Sequence, residues 1–186
     1  MTCTDPVTQI ADLFASEGAA DYLGEPVTQA AHMLQAAQLA ERDGADDALV
    51  AAALMHDVGH FTGAVSGQQL MRGTDNRHSH SGADWLARWF GPEVTEPVRL
   101  HVAAKRYLCA VEAGYARLLS PASVYTLGVQ GGPMCGAELA AFAASPYAQA
   151  ARRLRRWDDA AKDPDVTTLP FDHFRPLLRR LLRSAG

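Results

Sequence analysis

Val7, Ile10, Ala11 and Phe14 fall three and four residues apart, and this spacing recurs along almost the whole chain, while strict alternation is rare. A period near 3.6 puts such residues on one stripe of an α-helix, whereas a half-buried strand needs a period of two. The chain therefore reads as all-α. Asp5 before Pro6 looks like an N-cap with Pro at the first helical position, and this helix stops near Gly18. A second helix runs from near Thr28 to before Gly44, with Met33, Ala36, Ala37 and Ala40 as its buried face. Asp46 or Asp47 caps a third, on which Leu49, Ala52, Ala53 and His56 share a stripe and Gly59 lies just past the end. Residues 61–77 read as a Gly-rich polar loop. Further helices are expected over 79–90, 92–108, 136–145, 146–162 and 170–183, with 114–136 irregular.

With 186 residues, 48% of them hydrophobic and 20% charged, the chain suits one globular domain over residues 1–186 and excludes a disordered or disulfide-built protein. The longest apolar run, 48–55, is far short of the roughly twenty residues a membrane span needs. No base occurs in the first fourteen residues, so neither a secretory nor a mitochondrial leader is expected. The net charge of −4 divides into −9 over residues 1–101 and +5 over 102–186. No basic arm suggests nucleic-acid binding, but cations in the second half suit a small anionic ligand. Cys3, Cys109 and Cys135 read as free thiols of a cytoplasmic protein. A monomer or weak homo-oligomer is expected.

Several polar residues sit where the apolar stripes face inward. His56 continues Leu49, Ala52 and Ala53, and Asp57 follows it at the helix end. His101 shares a stripe with Val94, Val98 and Lys105, and Asp158 shares one with Tyr147, Ala151 and Leu154. His32 stands one residue ahead of an apolar face. A single inward His is ordinarily a hydrogen-bonded core residue. A set of His and Asp converging from several segments needs a shared cation or a large polar network, because an isolated buried carboxylate is costly. Imidazole with carboxylate suits Fe, Mn, Zn or Ni, and six ligands exceed what one zinc needs, so two metals bridged by an Asp are an option.

His32, then Met55-His56-Asp57-Val58-Gly59-His60, His78 with Gly82 and Ala83 downstream, the stretch from His101 to Leu108 with Lys105, the run from Gln130 to Met134, and Arg155 three residues before Asp158 complete a pattern. It resembles the HD-domain superfamily, and within it the HD proteins of phosphonate-degradation operons, including the diiron oxygenases that cleave 1-hydroxy-2-aminoethylphosphonates. The resemblance runs from about Asp21 to Leu182 and implies a compact HD-domain helical bundle. It implies one iron on His32, His56, Asp57 and Asp158, and a second on His78 and His101, with Asp57 bridging. His78 is preferred over the neighbouring His80 for its spacing to Gly82 and Ala83.

The same resemblance implies that Tyr22 occupies the second iron until substrate arrives and that Glu25 faces the substrate's amino end. Without it, Tyr22 reads as an amphipathic core residue and Glu25 as a first-turn helix acid. Lys105, one turn beyond His101, and Arg155 would bind the phosphonate, with His60, Ser123 and Gln130 near the substrate; Arg152, Arg153 and Arg156 read as a solvated face and His173 as surface. The implied activity is that of a mixed-valent Fe(II)/Fe(III) oxygenase using O2 as co-substrate. It would act on a small organophosphonate, giving phosphate and glycine, or glycine betaine from a trimethylated nitrogen. Similarity to the trimethylammonio branch of the family, notably over 94–98 and 119–123, implies the trimethylated substrate. The competing readings are a metal-dependent HD phosphohydrolase acting on a nucleotide or phosphate ester, and a non-catalytic sensor.

Overall fold

The computed structural model describes residues 5–20, 23–62, 70–73, 75 and 77–183. Ten α-helices and two short 3-10 turns, with no strand, make up its regular structure among the described residues. The helices are α1 (Pro6–Phe14), α2 (Gln29–Arg42), α3 (Asp47–Met55), α4 (Gly59–Thr62), α5 (His78–Leu86), α6 (Pro92–Val111), α7 (Pro121–Val129), α8 (Ala137–Ala143), α9 (Ala148–Ala160) and α10 (Phe171–Leu181).

Local chemistry starts α2 and α3 as the sequence predicts. The Thr28 hydroxyl accepts from the Ala31 N–H and opens α2, and Asp46, not Asp47, accepts from Leu49 N–H to open α3. Pro6 does stand at the head of α1, but the Asp5 carboxylate takes the Thr8 hydroxyl rather than a backbone donor. The stretch predicted as irregular, 114–136, holds a 3-10 turn over Tyr115–Leu118 and the whole of α7. Ser120 caps α7 by accepting from Ser123 N–H, and Pro121 is preset for its first turn. Its nine residues are flanked by Gly114, Gly131 and Gly132, all at positive φ, and these turn residues mask the helix in the sequence.

α3 is the centre of the fold. The stripe of Leu49, Ala52 and Ala53 understates it: every residue from Leu49 to Met55 is buried, so the helix has no solvent face. It packs against α2, α6, α9 and α10. A helix apolar all round needs such neighbours, and here Met33, Ala36, Val94, Val98, Leu154, Phe174 and Leu178 provide them. α3 thus delivers His56 and Asp57, at its C-terminal end, into the middle of the molecule.

α4 meets α5 main chain to main chain. A Cβ at Gly59 would stand 1.9 Å from the His78 carbonyl oxygen, and one at Gly82 would stand 3.0 Å from the Gly59 nitrogen. Glycine is required there for close approach, and the contact sets His78 opposite Asp57.

Candidate metal centre and its cavity

Four imidazoles and two carboxylates converge below a cleft of about 640 Å³, part of it open to solvent. His32 comes from α2, His56 and Asp57 from the end of α3, His78 from the head of α5, His101 from α6 and Asp158 from α9; all are at most 8% exposed. The Nε2 atoms of His32 and His56 lie 3.1 Å apart, as do those of His78 and His101. Asp57 stands between the pairs. Its Oδ2 is 3.7 Å from His32 Nε2 and 3.6 Å from His56 Nε2, while its Oδ1 is 3.4 Å from His78 Nε2 and 3.5 Å from His101 Nε2. Asp158 Oδ1 approaches His32 Nε2 to 3.3 Å.

Hydrogen bonds on the far side of the rings decide what the near side offers. His32 Nδ1 donates to the Ala161 carbonyl at 2.9 Å, His56 Nδ1 to Ala53 O at 2.8 Å and His101 Nδ1 to Val98 O at 2.7 Å. A carbonyl only accepts, so each Nδ1 carries its proton and each neutral ring turns the Nε2 lone pair into the cluster. Two lone pairs 3.1 Å apart need a cation between them. In this donor set that cation is a proton or a metal ion.

The charge states of His56, His78, Asp57 and Asp158 match ligation, whereas Asp158 favours the charged form of His32. Burial pushes His56 down to about 4, and burial together with His60 holds His78 well below its ordinary value. Burial opposes the charge of His32 as well, but the hydrogen bond and charge of Asp158 outweigh it and raise the pKa. Burial would raise both carboxyls; the histidines around Asp57, and Arg155 beside Asp158, hold them well below the carboxylate range. Neutral imidazoles and ionised carboxylates are the forms that bind metal. The donors fall into two triads that share Asp57: His32, His56, Asp57 and Asp57, His78, His101.

The model of the HD-domain family matches residues 30–124. The chain belongs to this family. Over 93% of its length the HD chain is 42% identical to [1-hydroxy-2-(trimethylamino)ethyl]phosphonate dioxygenase (glycine-betaine-forming) of Leisingera caerulea, covering 88% of that protein. It is 46% identical to hydroxymethylphosphonate dioxygenase of Gimesia maris over 84% of its own length and 78% of the relative. An uncharacterised protein of Acanthamoeba polyphaga mimivirus is 33% identical over 96% of the chain and 83% of the relative.

Around this HD cluster the cleft gathers most of the predicted substrate residues. His60 stacks on His78 with ring centroids 4.1 Å apart. Lys105 is 3% exposed and donates to Thr126 Oγ1 at 2.9 Å. Burial, then the charge of Arg155, bring its ammonium down to about 7. Arg155 donates to Asp158 Oδ2 at 2.7 Å, to Asp159, and to Ser123 Oγ at 3.4 Å. Gln130 lines the same wall. Glu25 lines the cleft as well. Tyr22 lies outside the described residues. His80 is exposed, as is His173, which pairs with Glu41. Arg156 is exposed, as expected, and pairs with Glu112, while Arg152 and Arg153 are half-buried over Tyr107 and Trp157.

Sequence reasoning missed two residues. Gln29, the first residue of α2, donates to Asp57 Oδ2 at 2.7 Å. Lys162 lies just beyond α9, not within it as predicted, and its Nζ bonds Glu25 Oε1 at 2.7 Å. The chain has only two lysines, and both line the cleft. No helix among the described residues is long and apolar enough to cross a membrane.

Proposed function

We propose that this HD domain, acting as one unit over residues 1–186 in the cytoplasm, is a mixed-valent diiron oxygenase that cleaves the C–P bond of a 1-hydroxy-2-aminoethylphosphonate. The preferred substrate is the N-trimethylated form, and the products are phosphate and glycine betaine. The observation that carries this is Asp57, whose two carboxylate oxygens each face a separate pair of imidazole nitrogens. One carboxylate so placed could serve two cations. His32, His56, Asp57 and Asp158 would hold one iron, and Asp57, His78 and His101 the other. The relatives at 42% and 46% identity support the chemistry by their names.

When bound, the iron pair supplies the redox chemistry by which O2 oxidises the hydroxyl-bearing carbon to a carboxylate as phosphorus leaves as phosphate. The protein's share is orientation and charge. Lys105 and Arg155 receive the phosphonate, helped by Ser123, Gln130 and His60. Glu25 faces the amino end, and the resemblance assigns Tyr22, outside the described residues, the guarding of the second iron. The inward Nε2 atoms keep the ligand set intact while these groups fix the substrate.

Iron analysis with electron paramagnetic resonance of the partly reduced protein tests the metal assignment, with two irons and a mixed-valent signal expected. An oxygen electrode with a phosphate assay tests the reaction: one O2 per phosphate from 1-hydroxy-2-(trimethylammonio)ethylphosphonate, and none released under strict anaerobiosis. Phosphate release undiminished without oxygen would instead make the protein a metal-dependent phosphohydrolase.

A further inference from the structure

Lys162 stands between the two ends of the cleft. Its ammonium donates to Glu25 Oε1 at 2.7 Å, to Ser123 Oγ at 2.9 Å and to Ser120 Oγ at 3.2 Å. Ser120 also donates to Glu25 Oε1, at 2.5 Å. The pair is mostly enclosed, with side-chain exposures of 13% for Lys162 and 18% for Glu25. Glu25 therefore already holds a cation before any substrate reaches it.

The backbone beneath Lys162 is fixed at both sides. Ala161 O accepts from His32 Nδ1 at 2.9 Å. Gln35 donates to Asp163 O at 2.7 Å and accepts from Asp163 N–H at 3.1 Å. What remains free to move is the four-carbon stem, whose ammonium is a compact charge with three rotatable donors. If it leaves Glu25 it keeps Ser123, the same hydroxyl that Arg155 reaches at 3.4 Å on the phosphonate side.

Resting on the function proposed above, we propose that Lys162 is a specificity-determining residue. It is an internal cation that holds Glu25 when the substrate's far end is uncharged and yields it when that end is a quaternary ammonium. The two states have different requirements. A phosphonate without an amine meets a far end that is already neutral and breaks no ion pair. A trimethylammonium end carries no N–H and is held by charge alone, so it competes with Lys162 for the Glu25 carboxylate, and when Lys162 yields, its charge turns toward the phosphonate. The cleft accordingly accepts both kinds of phosphonate, and Lys162 sets the ratio.

Steady-state kinetics of the iron-loaded wild type, Lys162→Met and Lys162→Arg with 1-hydroxy-2-(trimethylammonio)ethylphosphonate and with hydroxymethylphosphonate test this. Lys162→Met should lower KM for the cationic substrate by about tenfold, the scale of one charged hydrogen bond. KM for hydroxymethylphosphonate should stay within about twofold, and Lys162→Arg should keep the wild-type ratio. Adding Glu25→Gln to Lys162→Met should abolish the gain. An equal rise in KM for both substrates would make Lys162 a plain phosphonate contact and overturn the proposal, as would no change in either. A measurement without phosphonate separates this from the function itself. Tetramethylammonium chloride, compared with sodium chloride at equal concentration, should raise the unfolding temperature of Lys162→Met but not of the wild type; equal shifts would refute the proposal. Turnover of neither phosphonate by the wild type would sink the oxygenase reading, and the tetramethylammonium comparison would still decide the role of Lys162.

Discussion

Gln29 and Asp57, twenty-eight residues apart, are joined by a 2.7 Å hydrogen bond from the amide N–H to Oδ2. This bond fixes the plane of the carboxylate and thereby aims Oδ1 at the His78–His101 pair. Outer partners of this kind typically contribute 10- to 100-fold in metal affinity. Gln29→Leu is expected to weaken iron binding by about that factor in chelator competition, with folding intact. An unchanged affinity would leave Gln29 only its place at the head of α2.

Lys105 offers a proton count. Burial, with Arg155 adding to it, brings its pKa to about 7, so the group is charged below that pH and mostly neutral at pH 8. A phosphonate beside it favours the ammonium and raises the pKa. Binding at pH 8 should then take up close to one proton more in the wild type than in Lys105→Met, and the difference should shrink at pH 6. Calorimetry in two buffers of different ionisation enthalpy measures it, and equal uptake by both proteins at pH 8 would exclude Lys105 as the phosphonate's partner.

Arg155 ties Asp158, Asp159 and Ser123 together while only 4% exposed. Arg155→Met would leave Asp158 without its closest counter-ion. Breaking such a buried pair costs about 3–5 kcal/mol, and urea unfolding should show a loss of that order. A loss below about 1 kcal/mol would mean that the arginine acts as a surface charge does.

Gly59→Ala should separate the two metal positions. Its Cβ would lie 1.9 Å from His78 O, so α5 must give way while His32 and His56 keep their places. Metal analysis should fall from two ions toward one per chain. Retention of two would show that α5 can move without carrying His78 away from Asp57.

The sequence shows the ligands better than it shows what surrounds them. His56 and Asp158 are legible because each extends an apolar stripe, and a helical stripe has a definite inside. Lys105 is legible because it is one turn beyond His101. Lys162 is different: it follows the last turn of α9, where periodicity no longer says which way a side chain points. Its partner Glu25 is 137 residues away. Gln29 is hidden for another reason, since a neutral amide in a first helical turn needs no special explanation. Helix α7 had a visible start in Ser120 and Pro121, but it is short and its flanking glycines read as loop.

The contact between Gly59 and the main chain of α5 works as a spacer of fixed thickness. Side chains packed together can exchange rotamers and absorb a misfit; two backbones in contact have no such slack. The span from Asp57 to His78 is therefore insensitive to which apolar residues fill the interior. A substitution at Leu54 or Leu86 can lower stability and leave that span as it is. The two-cation centre proposed above would be gauged by peptide units, the least variable part of any chain.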